Sequence, residues 1–207
     1  MKINSAVFEI SAPNLEACPR LALPEFAFIG RSNVGKSSLV NLLTGRLDLA
    51  KVSDRPGKTR LMNFFCINRN WRLVDLPGYG YAHGSKTDRA DFNEAAADYI
   101  EGRENLRGVF VLIDSRLPPQ AIDMDFLEWV EGTRVPFALI FTKTDKQSVS
   151  LTQTKIAAFK RGAFGGRDPL PTSFASSART KAGRGEILQY IAGRLAEKPL
   201  AAADANA

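Results

Sequence analysis

Apolar residues fall along this chain in short runs of about five, separated by longer stretches in which they recur every three or four positions. The runs have the pattern of buried strands, and the stretches between them that of amphipathic helices. Strands are predicted at residues 26–30 (FAFIG), 61–67 (LMNFFCI), 71–76 (WRLVDL), 109–113 (VFVLI), 137–141 (FALIF) and 172–175 (TSFA). Helices are predicted at residues 38–43, 89–102, 121–131, 150–161 and 186–196. Alternating polar and apolar residues at 4–10 add an N-terminal strand. Asn68-Arg69-Asn70 suits a tight turn, so the two strands beside it should be antiparallel neighbours. Strands alternating with helices give an α/β fold, with a mostly parallel central sheet covered by helices on both faces. One domain is expected over residues 23–196. Residues 1–22 form an arm that belongs to it, and residues 197–207 (EKPLAAADANA) a disordered tail.

In such folds the chemistry sits at the carboxyl ends of the strands. The first buried strand runs into Gly30-Arg31-Ser32-Asn33-Val34-Gly35-Lys36-Ser37, with Ser38 opening the following helix. This fits G-x-x-x-x-G-K-[ST] in its required strand–loop–helix setting, a phosphate-binding P-loop. Gly30 and Gly35 let the backbone curl its N–H groups around a polyphosphate. The helix adds its positive end, Lys36 reaches the β- and γ-phosphates, and the Ser37 hydroxyl is placed for Mg²⁺. A surface lysine after a Gly-rich turn is the bland alternative, and the spacing makes it a poor one.

The base is addressed further on. Asp75-Leu76-Pro77-Gly78 ends a second apolar strand and fits DxxG: Asp75 for a Mg²⁺-bound water, the Gly78 N–H for the γ-phosphate. Thr142-Lys143-Thr144-Asp145 ends a third and fits [NT]KxD. The Asp145 carboxylate can accept from guanine N1–H and N2–H₂, a donor pair that adenine lacks, and the Lys143 stem can cover the base. Ala175-Ser176-Ser177-Ala178 fits the loop that offers a backbone N–H to guanine O6, with Ser176-Ser177 and Ser177-Ala178 both possible as the contacting pair. Between P-loop and DxxG, Gly57-Lys58-Thr59-Arg60-Leu61 supplies Thr59 as the second hydroxyl for Mg²⁺. Thr44 and Ser53 compete with it, but Thr44 should still lie on the helix. Taken alone, DxxG, TKxD and the Ser-Ser-Ala segment are ordinary polar turns. In this order they form a set.

That set resembles the G domain of P-loop GTPases. PEFAFIGRSNVGKSSL, RPGKTRLMNFF and VDLPGYGYA resemble, more narrowly, the EngB (YihA/YsxC) family of bacterial GTP-binding proteins. The resemblance covers residues 24–194. It implies a GTP/GDP switch with Mg²⁺ on Ser37, Thr59 and Asp75, and catalysis centred on Lys36, Thr59, Gly78 and Asn33. It further implies a part in large-ribosomal-subunit assembly and in normal cell division and septation. Asn33 lies where some related GTPases coordinate K⁺; an Asn chosen for loop geometry is an equal alternative. Many GTPases carry a Gln after DxxG to orient the attacking water. This chain has Tyr79, so slow unaided hydrolysis is expected. His83, the only histidine, reads as an exposed loop residue.

The formal charge of +6 adds a partner class. Lys51, Arg55, Lys58 and Arg60 fall around the first presumed switch, and Tyr79, Tyr81, His83 and Lys86 in the second, so an ordered pair of switches would present a basic, aromatic face. Such a face suits ribosomal RNA, against the alternative of a solvated basic surface. No apolar run reaches membrane-spanning length, residues 1–23 do not read as a signal peptide, and Cys18 and Cys66 form no metal or redox motif. A cytoplasmic monomer without membrane contact is expected. Two other function classes compete: a P-loop phosphotransferase, which has no use for TKxD, and a GTP-dependent scaffold of the division machinery without ribosome contact.

Overall fold

The computed structural model describes residues 1–51, 61–80, 94–133, 135–165 and 167–197. Its strands are β1 (Ala6–Ala12), β2 (Glu25–Gly30), β3 (Met62–Ile67), β4 (Trp71–Asp75), β5 (Leu106–Asp114), β6 (Phe137–Thr142) and β7 (Ser173–Ala175). They form one sheet in the order β1-β3-β4-β2-β5-β6-β7. From β4 to β7 every neighbouring pair is parallel, while β1–β3 and β3–β4 are antiparallel. The helices are α1 (Lys36–Thr44), α2 (Glu94–Gly102), α3 (Ala121–Gly132), α4 (Val149–Phe164) and α5 (Arg184–Ala196).

The two-residue period of the strands sorts their side chains into two cores. Ala27 and Ile29 of β2, with Val109, Val111 and Ile113 of β5, pack toward Tyr99, Phe126, Val130 and Phe159 on α2, α3 and α4. Phe26, Phe28, Phe110 and Leu112 point the other way, toward Leu39, Leu43, Ile187 and Ile191 on α1 and α5. Strands buried on both faces read as continuous apolar runs, which is why these were visible in the sequence.

The hairpin between β3 and β4 forms as expected: Asn68 and Arg69 take positive φ of 49° and 61°, and Ile67 faces Trp71. The Asn68 side chain then accepts from the Asn4 and Ser5 N–H groups, at 2.7 and 3.1 Å, and secures the N-terminal arm. The first strand lies two residues later than predicted, at Ala6–Ala12, and bulges between Phe8 and Ile10. The bulge redirects Glu9 onto a buried arginine, Arg72. Helix α1 begins at Lys36, two residues earlier than predicted, because Gly35 caps it at φ +110°. Helix α4 is longer than predicted: the Ser148 side chain caps its start and Gly165, at φ +55°, its end. The part of the second predicted helix before Glu94, and all but Glu197 of the predicted tail, lie outside the described residues. None of the described helices is long and apolar enough to cross a membrane.

One polar network escaped the sequence reading. Glu25, fully buried at the start of β2, faces fully buried Arg72 of β4. Arg72 donates to Glu25 at 3.2 Å and, through Nε and Nη2, to Glu9 at 2.7 and 3.0 Å. Arg103 grips both Glu25 oxygens at 2.7 and 2.8 Å, and the Tyr99 hydroxyl donates at 2.7 Å. The arginines also donate to the Leu21 and Pro19 carbonyls of the arm. The network therefore joins the arm, β2, β4 and α2 at the amino ends of the parallel strands.

Candidate functional site

The opposite ends of the same strands carry the candidate motifs. Gly30, Asp75, Thr142 and Ala175 terminate β2, β4, β6 and β7, and all four strands run parallel. The P-loop from Gly30 to Ser37 spans the gap from β2 to α1. Its shape is fixed from outside: the Thr142 hydroxyl donates to the Val34 carbonyl at 2.7 Å, and Lys143 Nζ to the Asn33 carbonyl at 2.5 Å. Asn33 sits at φ +59°, a left-handed conformation that asparagine tolerates well. Among the described residues Lys36 makes only a long contact, 3.4 Å from its Nζ to the Gly30 carbonyl, so none of them holds its ammonium tightly.

Gly78 lies against this loop. A Cβ there would fall 2.5 Å from the Gly30 carbonyl oxygen and 3.3 Å from Lys36 Nζ, so only glycine brings its backbone this close. Asp75 is 3% exposed, and its Oδ1 has no hydrogen-bond partner among the described residues. Burial pushes its carboxyl up to about 6, with the Lys36 ammonium pulling the other way. A buried carboxylate oxygen without a partner is an anomaly in a folded protein, and it fits a hydrated Mg²⁺ held between Asp75 and the Ser37 hydroxyl. No cluster of three His, Cys, Asp or Glu stands ready for a metal among the described residues. Mg²⁺ binds through one or two carboxylates together with waters and substrate phosphates. Gly57, Lys58, Thr59 and Arg60 lie outside the described residues; Leu61 is described and 41% exposed.

The base-reading candidates also meet. Asp145, in a single 3-10 turn after β6, accepts from the Ser177 hydroxyl at 2.6 Å and from Arg179 Nε at 2.7 Å. Hydrogen bonds from Arg179 and then Ser177 hold its carboxyl at about 2. In the loop after β7, the Ser176 N–H goes to the Phe141 carbonyl and the Ser177 N–H to the Ala182 carbonyl. Among the described residues only the Ala178 N–H of these three has no such acceptor, which favours the Ser177-Ala178 register. The Thr144 N–H donates to the Ser176 carbonyl at 3.2 Å and so ties the two loops together. Ala175 ends the strand beside them.

Three further residues went unnoticed in the sequence. Asp114, at the carboxyl end of β5, accepts from Lys143 at 2.9 Å and from Arg116 at 2.7 and 2.9 Å. Burial pushes the Asp114 carboxyl up, but the Arg116 and Lys143 hydrogen bonds outweigh it and leave it at about 2. It thereby fixes Lys143 between the P-loop and the base-reading loop. An acidic residue directly after an apolar strand was the available signal. Arg179, beside the Ser-Ser-Ala segment, carried none.

Tyr79 requires a correction. Placed in a mobile switch, it was read as occupying the water-orienting position and as part of an exposed aromatic face. The residue is instead 2% exposed, stacked on Phe126 with ring centroids 4.5 Å apart. Its hydroxyl donates to Asp123 Oδ1 at 2.9 Å. An aromatic ring beside an open apolar face of α3 buries itself rather than facing water. Tyr81, His83 and Lys86 lie outside the described residues.

Residues 25–143 match the protein family described as 50S ribosome-binding GTPase. The chain is 50% identical over 193 residues to the probable GTP-binding protein EngB of Christiangramia forsetii, covering 93% of this chain and 98% of that one. It is 49% identical over 191 residues to the protein of the same name from Bacteroides fragilis, covering 92% and 95%. A crystal structure of a probable GTP-binding protein engB aligns with a TM-score of 0.65 over 84% of this chain and 100% of that chain. At 23% identity, this likeness speaks for the fold.

Proposed function

The chain belongs to the EngB family of GTP-binding proteins, and from that premise we propose that it is a Mg²⁺-dependent, guanine-specific GTPase switch. It acts in assembly of the large ribosomal subunit and, through that step, in normal cell division. The observation that carries the nucleotide site is the buried Asp75 oxygen that has no hydrogen-bond partner among the described residues, in a carboxyl that feels the Lys36 ammonium at the mouth of the P-loop.

The P-loop N–H groups and the start of α1 bind the β- and γ-phosphates, with Lys36 as the mobile cation. Ser37 and Asp75 hold Mg²⁺, together with Thr59 in the GTP state. Bound Mg²⁺ would supply positive charge against the charge that develops on the phosphates as the γ-phosphoryl departs. The Gly78 N–H meets the γ-phosphate and reports its presence to the segment that follows. Asp145 accepts from the guanine edge, and the Ala178 N–H donates to O6.

Hydrolysis is slow unaided, because the residue after Gly78 is committed to the core and presents no amide to the attacking water. The φ of +59° suits Asn33 to loop geometry, and on that reading rates in K⁺ and Na⁺ are equal. A K⁺ acceleration lost in Asn33→Ala would instead assign a K⁺ site there.

The family description and the +6 charge support the ribosomal partner. Protein loaded with a non-hydrolysable GTP analogue should co-sediment with large ribosomal subunits, and salt should release it as counterions recondense on the RNA. Charge reversal at Lys51 should weaken binding without changing GDP affinity. Equal sedimentation of GTP- and GDP-loaded protein would remove the switch reading.

A further inference from the structure

The carboxylate that reads the base is already engaged. Both Asp145 oxygens have partners, and its side chain is 5% exposed. Each oxygen could accept a second bond, but the covered side chain can be reached only if one of its two partners moves aside. The two partners are not equally movable. Ser177 is 1% exposed, its Oγ also accepts from the Thr180 N–H at 3.1 Å, and its own N–H is bonded to Ala182. Arg179 is 68% exposed at its side chain and makes its one ion pair, among the described residues, with Asp145. Releasing Ser177 would unravel the loop. Releasing Arg179 breaks one exposed ion pair and returns the guanidinium to water, which hydrates it well.

We infer that Arg179 is a cap on Asp145: it covers the base-reading carboxylate and is displaced by guanine. The inference rests on Asp145 reading guanine, as proposed above. Its physical content is a competition. Guanine replaces the Arg179 donor with its own pair, N1–H and N2–H₂, so the carboxylate stays satisfied. Adenine presents an acceptor and no such pair. If it displaced Arg179 it would leave a buried carboxylate facing a lone pair, and if it did not it would find the site closed. Breaking the ion pair costs either base the same, and only guanine then restores donors to the carboxylate, so discrimination stays with Asp145 and the cap sets how fast that carboxylate is reached. The cost to guanine falls on association, because the ion pair is broken on the way in.

The test measures association and dissociation of ribose-labelled fluorescent GDP and ADP, in Mg²⁺, for wild type, Arg179→Gln, Asp145→Asn and the double variant. Arg179 is exposed, so its replacement leaves the fold intact. Arg179→Gln should bind GDP about two- to five-fold faster with an unchanged dissociation rate, the size expected from loss of one exposed ion pair. ADP association should gain by the same factor, so that the GDP-to-ADP preference stays unchanged. In the Asp145→Asn background the same substitution should change nothing. Faster GDP dissociation in Arg179→Gln, an unchanged association rate, or acceleration that persists without Asp145 would each overturn the cap. A wild type that binds ADP as well as GDP would instead overturn the guanine reading beneath it.

Discussion

Strands β2 and β4 run side by side and carry a buried carboxylate at each end, and the two carboxylates are treated in opposite ways. At the amino end Glu25 is gripped by Arg72, Arg103 and Tyr99, and Glu9 covers the rest of Arg72. At the carboxyl end Asp75 is as deeply buried, yet one of its oxygens has no partner among the described residues and its carboxyl is pushed up to about 6. Burying a charge is costly unless hydrogen bonds and counter-charges offset it. The saturated end has been closed for stability. The unsaturated end keeps its desolvation cost, which under the proposed function a cation and a polyphosphate would relieve. The difference separates scaffold from site without reference to any motif.

The strongest way to break the comparison is Glu25→Ala. It should cost about 3–5 kcal/mol, because it strands Arg72 and Arg103 without their shared acceptor. Denaturant unfolding measures it, and the protein that remains folded should keep its GDP affinity. A loss below about 1 kcal/mol would mean the amino end is not a scaffold.

Asp75→Asn should act in the other direction. A carboxyl whose folded value is raised from 3.8 to about 6 favours the protonated form. Its stabilising contribution is complete below pH 4 and is lost as the pH rises through 6. The ionised group then costs the nucleotide-free protein up to about 3 kcal/mol. The Asn variant should be more stable than wild type above pH 6, equal to it below pH 4, and insensitive to Mg²⁺ in nucleotide binding. Equal stability across that range would contradict the picture of a strained site.

Asp145→Asn sharpens the comparison within the open end. It should lower guanine affinity by about 1.5–3 kcal/mol and improve binding of xanthine nucleotides, which offer an acceptor where guanine has a donor. Displacement of labelled GDP by XTP checks it. The smallest effect belongs to Tyr79→Phe. Removing the hydroxyl that donates to Asp123 should cost about 1 kcal/mol and leave single-turnover hydrolysis unchanged, since that hydroxyl faces the core. A slower rate would return Tyr79 to the reaction.

The open end was legible in the sequence and the closed end was not. Phosphate and base recognition confine Gly30, Lys36, Ser37, Asp75, Gly78 and Asp145 to fixed residue types at fixed spacings from strand ends, so a single chain displays them. The Glu25 network links residues up to 84 positions apart through no shared motif, and only the fold brings them together. The strands on both faces of the core were readable because their apolar runs are unbroken. β1 was misplaced because its bulge at Glu9 answers to Arg72, a distant residue. Tyr79 misled because its place in the second presumed switch suggests an exposed aromatic, while the face of α3 that it fills is formed some 40 residues later by Asp123 and Phe126.

The most direct test of the distinction between the two ends is nucleotide competition in two variants, one at each end. With labelled GDP and Mg²⁺, GTP should displace and ATP should not, both in wild type and in Glu25→Gln. In Asp75→Asn the Mg²⁺ dependence of GTP displacement should vanish while the preference for guanine persists. Displacement by ATP at the same concentration as GTP, or a Mg²⁺ response that survives in Asp75→Asn, would contradict the account.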